Sequence, residues 1–127
     1  FKKPNTLNAI IYGYIRKSKA QRSFEYASLL LEKGIGTPQP YAYYENKSFL
    51  GLEQSYYFSN HQEIDLMFRN LVFDSNYPNR TEIIKQTAHF FYKIHNLGIE
   101  FIDNTAGNTL IKKISDNQYE FYCGYRF

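Results

Sequence analysis

Residues 98–113 read Gly98-Ile99-Glu100-Phe101-Ile102-Asp103-Asn104-Thr105-Ala106-Gly107-Asn108-Thr109-Leu110-Ile111-Lys112-Lys113. The glycine closes the helix that precedes it, a polar loop follows, and Thr109-Leu110-Ile111 opens a β-branched apolar run that reads as a strand. Within the loop, Asp103 and Asn108 stand five residues apart. A carboxylate accepts or orients the proton of an attacking hydroxyl, and an amide oxygen ligates a hard divalent cation such as Mg²⁺. Gly107 lets the backbone turn tightly before Asn108. A D-x-x-x-x-N spacing arises by chance in many chains, so its weight here comes from the elements on either side.

On the N-terminal side lies the strongest helical pattern, residues 80–97. Asn79 with Glu82 three residues on predicts a capping box at its start. Ile84, Ala88, Phe91 and His95 recur at helical spacing, and Ile83, Phe90 and Ile94 widen the stripe, so the helix is expected to be buried on most sides. His95 then reads as a satisfied core histidine. On the C-terminal side, 108–113 and 118–123 read as two short strands around the turn Ser115-Asp116-Asn117, with Cys123 a buried packing residue.

Farther out, Ile64, Met67, Phe68 and Leu71 predict a short helix over 63–71. Residues 40–44 and 54–58 read as aromatic strands separated by a turn at Glu45-Asn46-Lys47-Ser48. Ser18 with Gln21 predicts another capping box, and Ala20, Phe24, Ala27 and Leu31 form one apolar stripe that Lys33 and Gly34 terminate. Glu25 sits at the margin of that stripe. The order helix, strands, helices, hairpin is an α+β pattern rather than alternating βαβ.

The 127 residues allow one domain. The single cysteine excludes an internal disulfide framework and a multi-cysteine zinc site, and His61 and His89 have no partners at metal-ligand spacing. No apolar run approaches the roughly 18 residues of a membrane span, and no signal peptide heads the chain, so a cytoplasmic location is expected. The chain begins at Phe1 rather than Met and ends in an aromatic run at Phe127, which we read as a fragment or processed piece. The formal net charge of +3 is too weak to indicate a nucleic-acid binder. Its distribution says more: residues 1–33 carry seven basic and two acidic groups, whereas the remainder is net negative. Arg16, Lys17, Lys19 and Arg22 form a cluster suited either to solvent at a helix entrance or to phosphate, anionic lipid or acidic sugar.

With the loop placed, the chain resembles the lipopolysaccharide kinases of the Kdo/WaaP type, within the protein-kinase-like fold, whose catalytic loops carry the same D-x-x-x-x-N. The resemblance runs over nearly the whole chain. It is strongest over Arg16-Lys17-Ser18-Lys19-Ala20-Gln21-Arg22-Ser23-Phe24-Glu25-Tyr26-Ala27, over residues 31–40, and at Ser55-Tyr56-Tyr57, His95-Asn96-Leu97-Gly98-Ile99 and Gly107-Asn108-Thr109-Leu110-Ile111-Lys112. It implies an α+β, protein-kinase-like fold: residues 1–58 are the remainder of a small lobe and hinge, and 59–127 are the core of the helical large lobe. It implies Asp103 as catalytic base, Asn108 as a Mg²⁺ ligand, and Glu25 as the helix carboxylate that pairs with a strand lysine holding the ATP phosphates. Residues 54–59, with Gln54, Tyr56 and Tyr57, become the strand and hinge that receive adenine. The implied reaction is transfer of the ATP γ-phosphoryl group to a Kdo or heptose hydroxyl of the bacterial lipopolysaccharide core. It would take place at the inner face of the cytoplasmic membrane, with the basic cluster meeting an anionic surface.

The departures from that pattern are specific. Phe101 stands where the family usually has His two residues before the Asp, and Ala106 replaces the proline before the loop glycine. The Gly-rich loop and its lysine strand are expected upstream of Phe1, and neither Lys2 nor Lys3 is assigned their role. The second metal-holding Asp is expected near residues 122–124, where Cys123 takes the likeliest position and no carboxylate follows Glu120. These gaps define the main rival reading, a catalytically inactive pseudokinase that serves as a binding or scaffolding module. A basic-patch nucleic-acid binder is the lesser rival and predicts steep salt dependence on arbitrary DNA or RNA.

Overall fold

The computed structural model describes residues 16–100 and 105–124, which form an α+β arrangement in two compact units. The first gathers 16–29 and 39–60; the second gathers 30–38 together with the described residues from 61 onward.

In the first unit, helix α1 (Lys19–Glu32, its last turn counted with the second unit) begins where Ser18 Oγ accepts the Gln21 backbone N–H at 3.0 Å. Only half of the expected capping box forms, because the Gln21 side chain turns forward and donates to Glu25 at 3.0 Å. The buried positions are Ala20, Ser23 and Ala27, with Phe24 half-buried, so the covered face is rotated from the apolar stripe toward Ser23. A serine is tolerated there because its hydroxyl donates to the Lys19 carbonyl at 2.7 Å.

Strands β1 (Pro40–Ser48) and β2 (Gly51–Ser59) form an antiparallel hairpin. The turn is Phe49-Leu50, not the expected Glu45–Ser48 stretch: those four polar residues continue β1, and Gly51, at φ 116°, takes the backbone out of the turn. Polar residues mark turns only when no partner strand satisfies their backbone, and here Glu45 and Asn46 are registered against Ser55 and Gln54. One hairpin face, with Tyr43 and Glu45, meets α1. Phe24 packs on Tyr43 with ring centroids 5.5 Å apart, and Glu45 bonds Ser18.

Those bonds to Ser18, and next the Lys47 ammonium at 2.9 Å, hold the Glu45 carboxyl below its ordinary range. A depressed carboxyl contributes stability above the unfolded pKa of about 4.3 and loses it as pH falls through the folded value. Glu45→Gln is therefore expected to lower the first unit's resistance to unfolding at pH 7 and to match the parent near pH 3. Thermal melts followed by circular dichroism at the two pH values check this; an equal deficit at both would remove the carboxylate from the account.

The second unit is built on the sheet order β3-β4-β5, with β3 (Leu66–Met67), β4 (Thr109–Ser115) and β5 (Gln118–Cys123) antiparallel. The helix expected over 63–71 is corrected: Leu66 and Met67 pair with Ile111 and Leu110, and only α2 (Phe68–Phe73) is helical. Helix α3 (Arg80–Asn96) lays Ile83 onto Leu66, Leu71 and Ile111, with Phe68, Tyr77 and Phe121 around them. Phe90 stacks on Phe121 at 5.5 Å. The expectation of burial on most sides is also corrected. Ile83, Thr87 and Ile94 are buried, whereas Ala88, Tyr92 and His95 are exposed, so His95 is not a core histidine.

Nor does Asn79 cap α3 with its side chain. It adopts φ 59°, and its amide donates to the Asp116 carbonyl, Asn117 Oδ1 and the Tyr119 hydroxyl, latching the helix start to the β4–β5 turn. Gln86 grips the same turn, donating to the Asn117 carbonyl at 2.8 Å and accepting the Tyr119 N–H at 3.2 Å. No helix among the described residues is long and apolar enough to cross a membrane.

Candidate functional site

Both long helices stop by the same device. Gly34 and Gly98 take φ 72° and 71°. Each donates to a carbonyl three residues back, and the isoleucine that follows donates five back: Ile35 to Leu30 at 2.8 Å and Ile99 to Ile94 at 3.3 Å. The paired side chains are buried, which is the hydrophobic contact of a Schellman stop. This stop aims the chain from α3 into the loop that carries Asp103. Asp103 itself lies outside the described residues, as do Phe101, Lys2 and Lys3.

The loop re-emerges as a tight turn. Asn108 N–H donates to the Thr105 carbonyl at 2.9 Å, and the Ala106 carbonyl accepts the Arg69 N–H of α2 at 2.8 Å. Asn108 and Thr109 are buried, and Thr109 begins β4 opposite Cys123. The Asn108 carbonyl then accepts the Gly124 N–H at 2.7 Å. The end of the loop and the end of the β4–β5 hairpin are thus joined at one point. A Cβ at Gly124 would lie 3.3 Å from the Asn108 oxygen and 3.2 Å from Leu110 Cγ.

That junction bears on the implied Mg²⁺. Mg²⁺ in phosphoryl-transfer sites is held by one or two carboxylates as well as by substrate phosphates. The junction supplies the Asn108 amide, but the hairpin end supplies Cys123 and Gly124. Burial pushes the Cys123 thiol up to about 12, so it stays protonated and is no substitute for a carboxylate. The described residues therefore do not complete a Mg²⁺ site, and no group of three or more potential metal-ligating side chains occurs among them.

The remaining expected residues lie in the first unit. Glu25 is exposed on α1, where Lys17 Nζ meets its carboxylate at 2.7 Å and, with Gln21, holds its pKa down. Gln54, Tyr56 and Tyr57 all fall on β2 but do not share a face. Tyr56 donates to Gln54 Oε1 at 2.9 Å on the exposed side, 6.4 Å from the Tyr44 ring. Tyr57 is registered with Tyr43 on the side of α1, half-buried, and burial raises its phenol pKa. Strand alternation imposes that separation.

Sequence reasoning missed the role of Gly36 and Thr37. The Gly36 carbonyl accepts the Cys123 N–H at 2.8 Å, and the Thr37 hydroxyl donates to the Cys123 carbonyl at 2.7 Å, so this pair covers the outer edge of β5. Only the break in pattern at Gly34-Ile35-Gly36-Thr37-Pro38 hinted at it. No protein-family model, curated protein or solved structure matches the chain.

Proposed function

We propose that the chain is a protein-kinase-like phosphotransferase module of the lipopolysaccharide-core sugar kinase kind. Asp103 serves as the base that takes the proton of a Kdo or heptose hydroxyl, and Asn108 as an amide ligand beside ATP-bound Mg²⁺. The observation that carries this reading is the junction at Asn108. A long helix ended by a Schellman stop, and a buried asparagine bonded to the end of the following hairpin, support it, because a catalytic loop needs its metal-side asparagine held still. In this reading the reaction occurs in the cytoplasm at the inner membrane, and Arg16, Lys17, Lys19 and Arg22 face its anionic surface.

One observation favours a second reading, the pseudokinase. Cys123 and Gly124 stand where the hairpin end should supply a carboxylate to the metal, and electrostatic stabilisation of the transferred phosphoryl group accounts for most of the rate in such enzymes. The module would then keep the fold as a binding or scaffolding surface.

Calorimetric titration of ATP into the protein, with and without Mg²⁺, separates the two. The kinase reading expects nucleotide binding that strengthens with Mg²⁺ and weakens in Asn108→Ala. Nucleotide binding indifferent to Mg²⁺, or none, sinks the catalytic reading and leaves the scaffold.

A further inference from the structure

The hairpin of the first unit ends in a turn that its fold does not require. Neither turn position takes a positive φ, which falls on Gly51 at 116°, so the backbone admits most residue types there and does not call for large apolar ones. Here the turn is Phe49-Leu50, with Phe49 91% and Leu50 65% exposed. Neither of these consecutive large apolar side chains belongs to this unit's buried core.

The direction of α1 shows what accompanies the tip. Its start is tied to β1 at Glu45, through Ser18, while Phe24, farther along the helix, packs on Tyr43, which is farther from the turn. The helix therefore runs away from the tip and its N-terminus faces it. Glu45 is four residues from Phe49, about 13 Å along the strand. Arg16, Lys17, Lys19 and Arg22 all lie in or just before the first turn of α1, so they belong to the end of the unit that carries Phe49 and Leu50.

The acidic groups at that end are largely engaged. Glu25 pairs with Lys17 at 2.7 Å, Glu45 with Lys47 at 2.9 Å, and Glu53 accepts from Asn46 at 3.4 Å. Arg16, Lys19 and Arg22 have no ion pair among the described residues.

We infer that this end of the first unit is a membrane-docking edge, in which Phe49 and Leu50 enter the headgroup and acyl boundary of an anionic bilayer while Arg16, Lys19 and Arg22 meet its lipid phosphates. An apolar wedge beside a basic cluster is the combination that binds peripheral proteins to such interfaces, since neither term alone anchors firmly. The inference deepens the membrane contact of the proposed function by adding an insertion element to its charges. It does not depend on phosphoryl transfer.

The chain has no tryptophan, so Phe49→Trp places a single reporter at the tip. With vesicles of phosphatidylcholine containing 30% phosphatidylglycerol, the full chain carrying Phe49→Trp is expected to show a blue-shifted emission. With pure phosphatidylcholine the shift should be much smaller. In co-sedimentation with the same vesicles, the double variant Phe49→Ser, Leu50→Ser should bind at least tenfold more weakly. Arg16→Gln, Lys19→Gln and Arg22→Gln should each weaken binding about fivefold and respond to salt. Circular dichroism confirms that each variant is folded; Phe49 and Leu50 are exposed, so none should unfold.

Unchanged vesicle binding in the tip variant overturns insertion and leaves plain electrostatic adsorption. A blue shift that grows with protein concentration in the absence of lipid overturns it in favour of contact between copies of the chain. No binding to any vesicle overturns it outright. None of these measurements uses ATP or a sugar acceptor, so a failed kinase reading and a failed docking edge are told apart.

Discussion

On the proposed kinase reading, Asp103→Asn is expected to lower ATP-dependent phosphoryl transfer to a lipopolysaccharide-core acceptor by about 10²–10⁴-fold, the usual contribution of a positioned general base. Asparagine keeps the size of the side chain and one acceptor oxygen, while it replaces the other oxygen by an N–H donor and removes the charge that takes up the hydroxyl proton. Nucleotide affinity should therefore stay within about twofold, and the thermal midpoint should not move. A loss of rate with binding and stability intact is what separates a base from a turn-capping aspartate, which would lower stability instead. The transfer rate is best read with radiolabelled ATP on the protein in its full natural length. Equal rates in parent and variant would end the assignment of Asp103.

Gly36→Val is expected to destabilise the second unit strongly. A Cβ at this position would lie 2.8 Å from the Phe121 carbonyl oxygen and 2.9 Å from Tyr122 Cδ1. The first of these is backbone in the middle of β5 and cannot swing aside. Relief requires the 36–37 segment to lift from the sheet edge, which breaks both bonds to Cys123 and exposes the strand. Overpacking of this kind costs roughly 1–3 kcal/mol, with the lost hydrogen bonds added. Against the roughly 5–15 kcal/mol that holds a typical domain together, this is a large fraction.

Gly34→Ala serves as the control. Its Cβ meets nothing within 4 Å, so only the positive φ of 72° is penalised, by about 1 kcal/mol. Urea unfolding followed by circular dichroism should rank parent, Gly34→Ala and Gly36→Val in that order of midpoint. A Gly36→Val midpoint equal to that of the parent would mean that the segment does not hold the β5 edge.

How much was legible in the chain depended on the range of the interaction responsible. The stops of α1 and α3 were readable at Gly34 and Gly98 because a glycine that closes a helical pattern is a local signal. The β4–β5 hairpin was readable from the strand-like runs around Ser115-Asp116-Asn117, although β4 runs on to Ser115, which pairs with Gln118 and leaves Asp116-Asn117 as the turn. Helix starts were less so. Ser18 caps its helix, but Asn79 spends its amide on the hairpin turn, a partner some forty residues distant that no local pattern reveals.

Non-local pairing accounts for the other differences. Glu45 and Asn46 look like a turn until β2 lies beside them, and Leu66 and Met67 look helical until Ile111 and Leu110 claim their backbones. Which face of a helix is covered follows the same rule: α1 buries Ser23 and α3 exposes Ala88 and His95 because packing partners, not periodicity alone, choose the stripe. The candidate site divides along this line. Asp103 and Asn108 stand out in the sequence by type and spacing alone, whereas Gly107 takes no positive φ. That Asn108 is buried, bonded to Gly124, and flanked there by a thiol and a glycine rather than a carboxylate was decided only when the hairpin folded back, because a residue sixteen positions away acquires a neighbour only through tertiary structure.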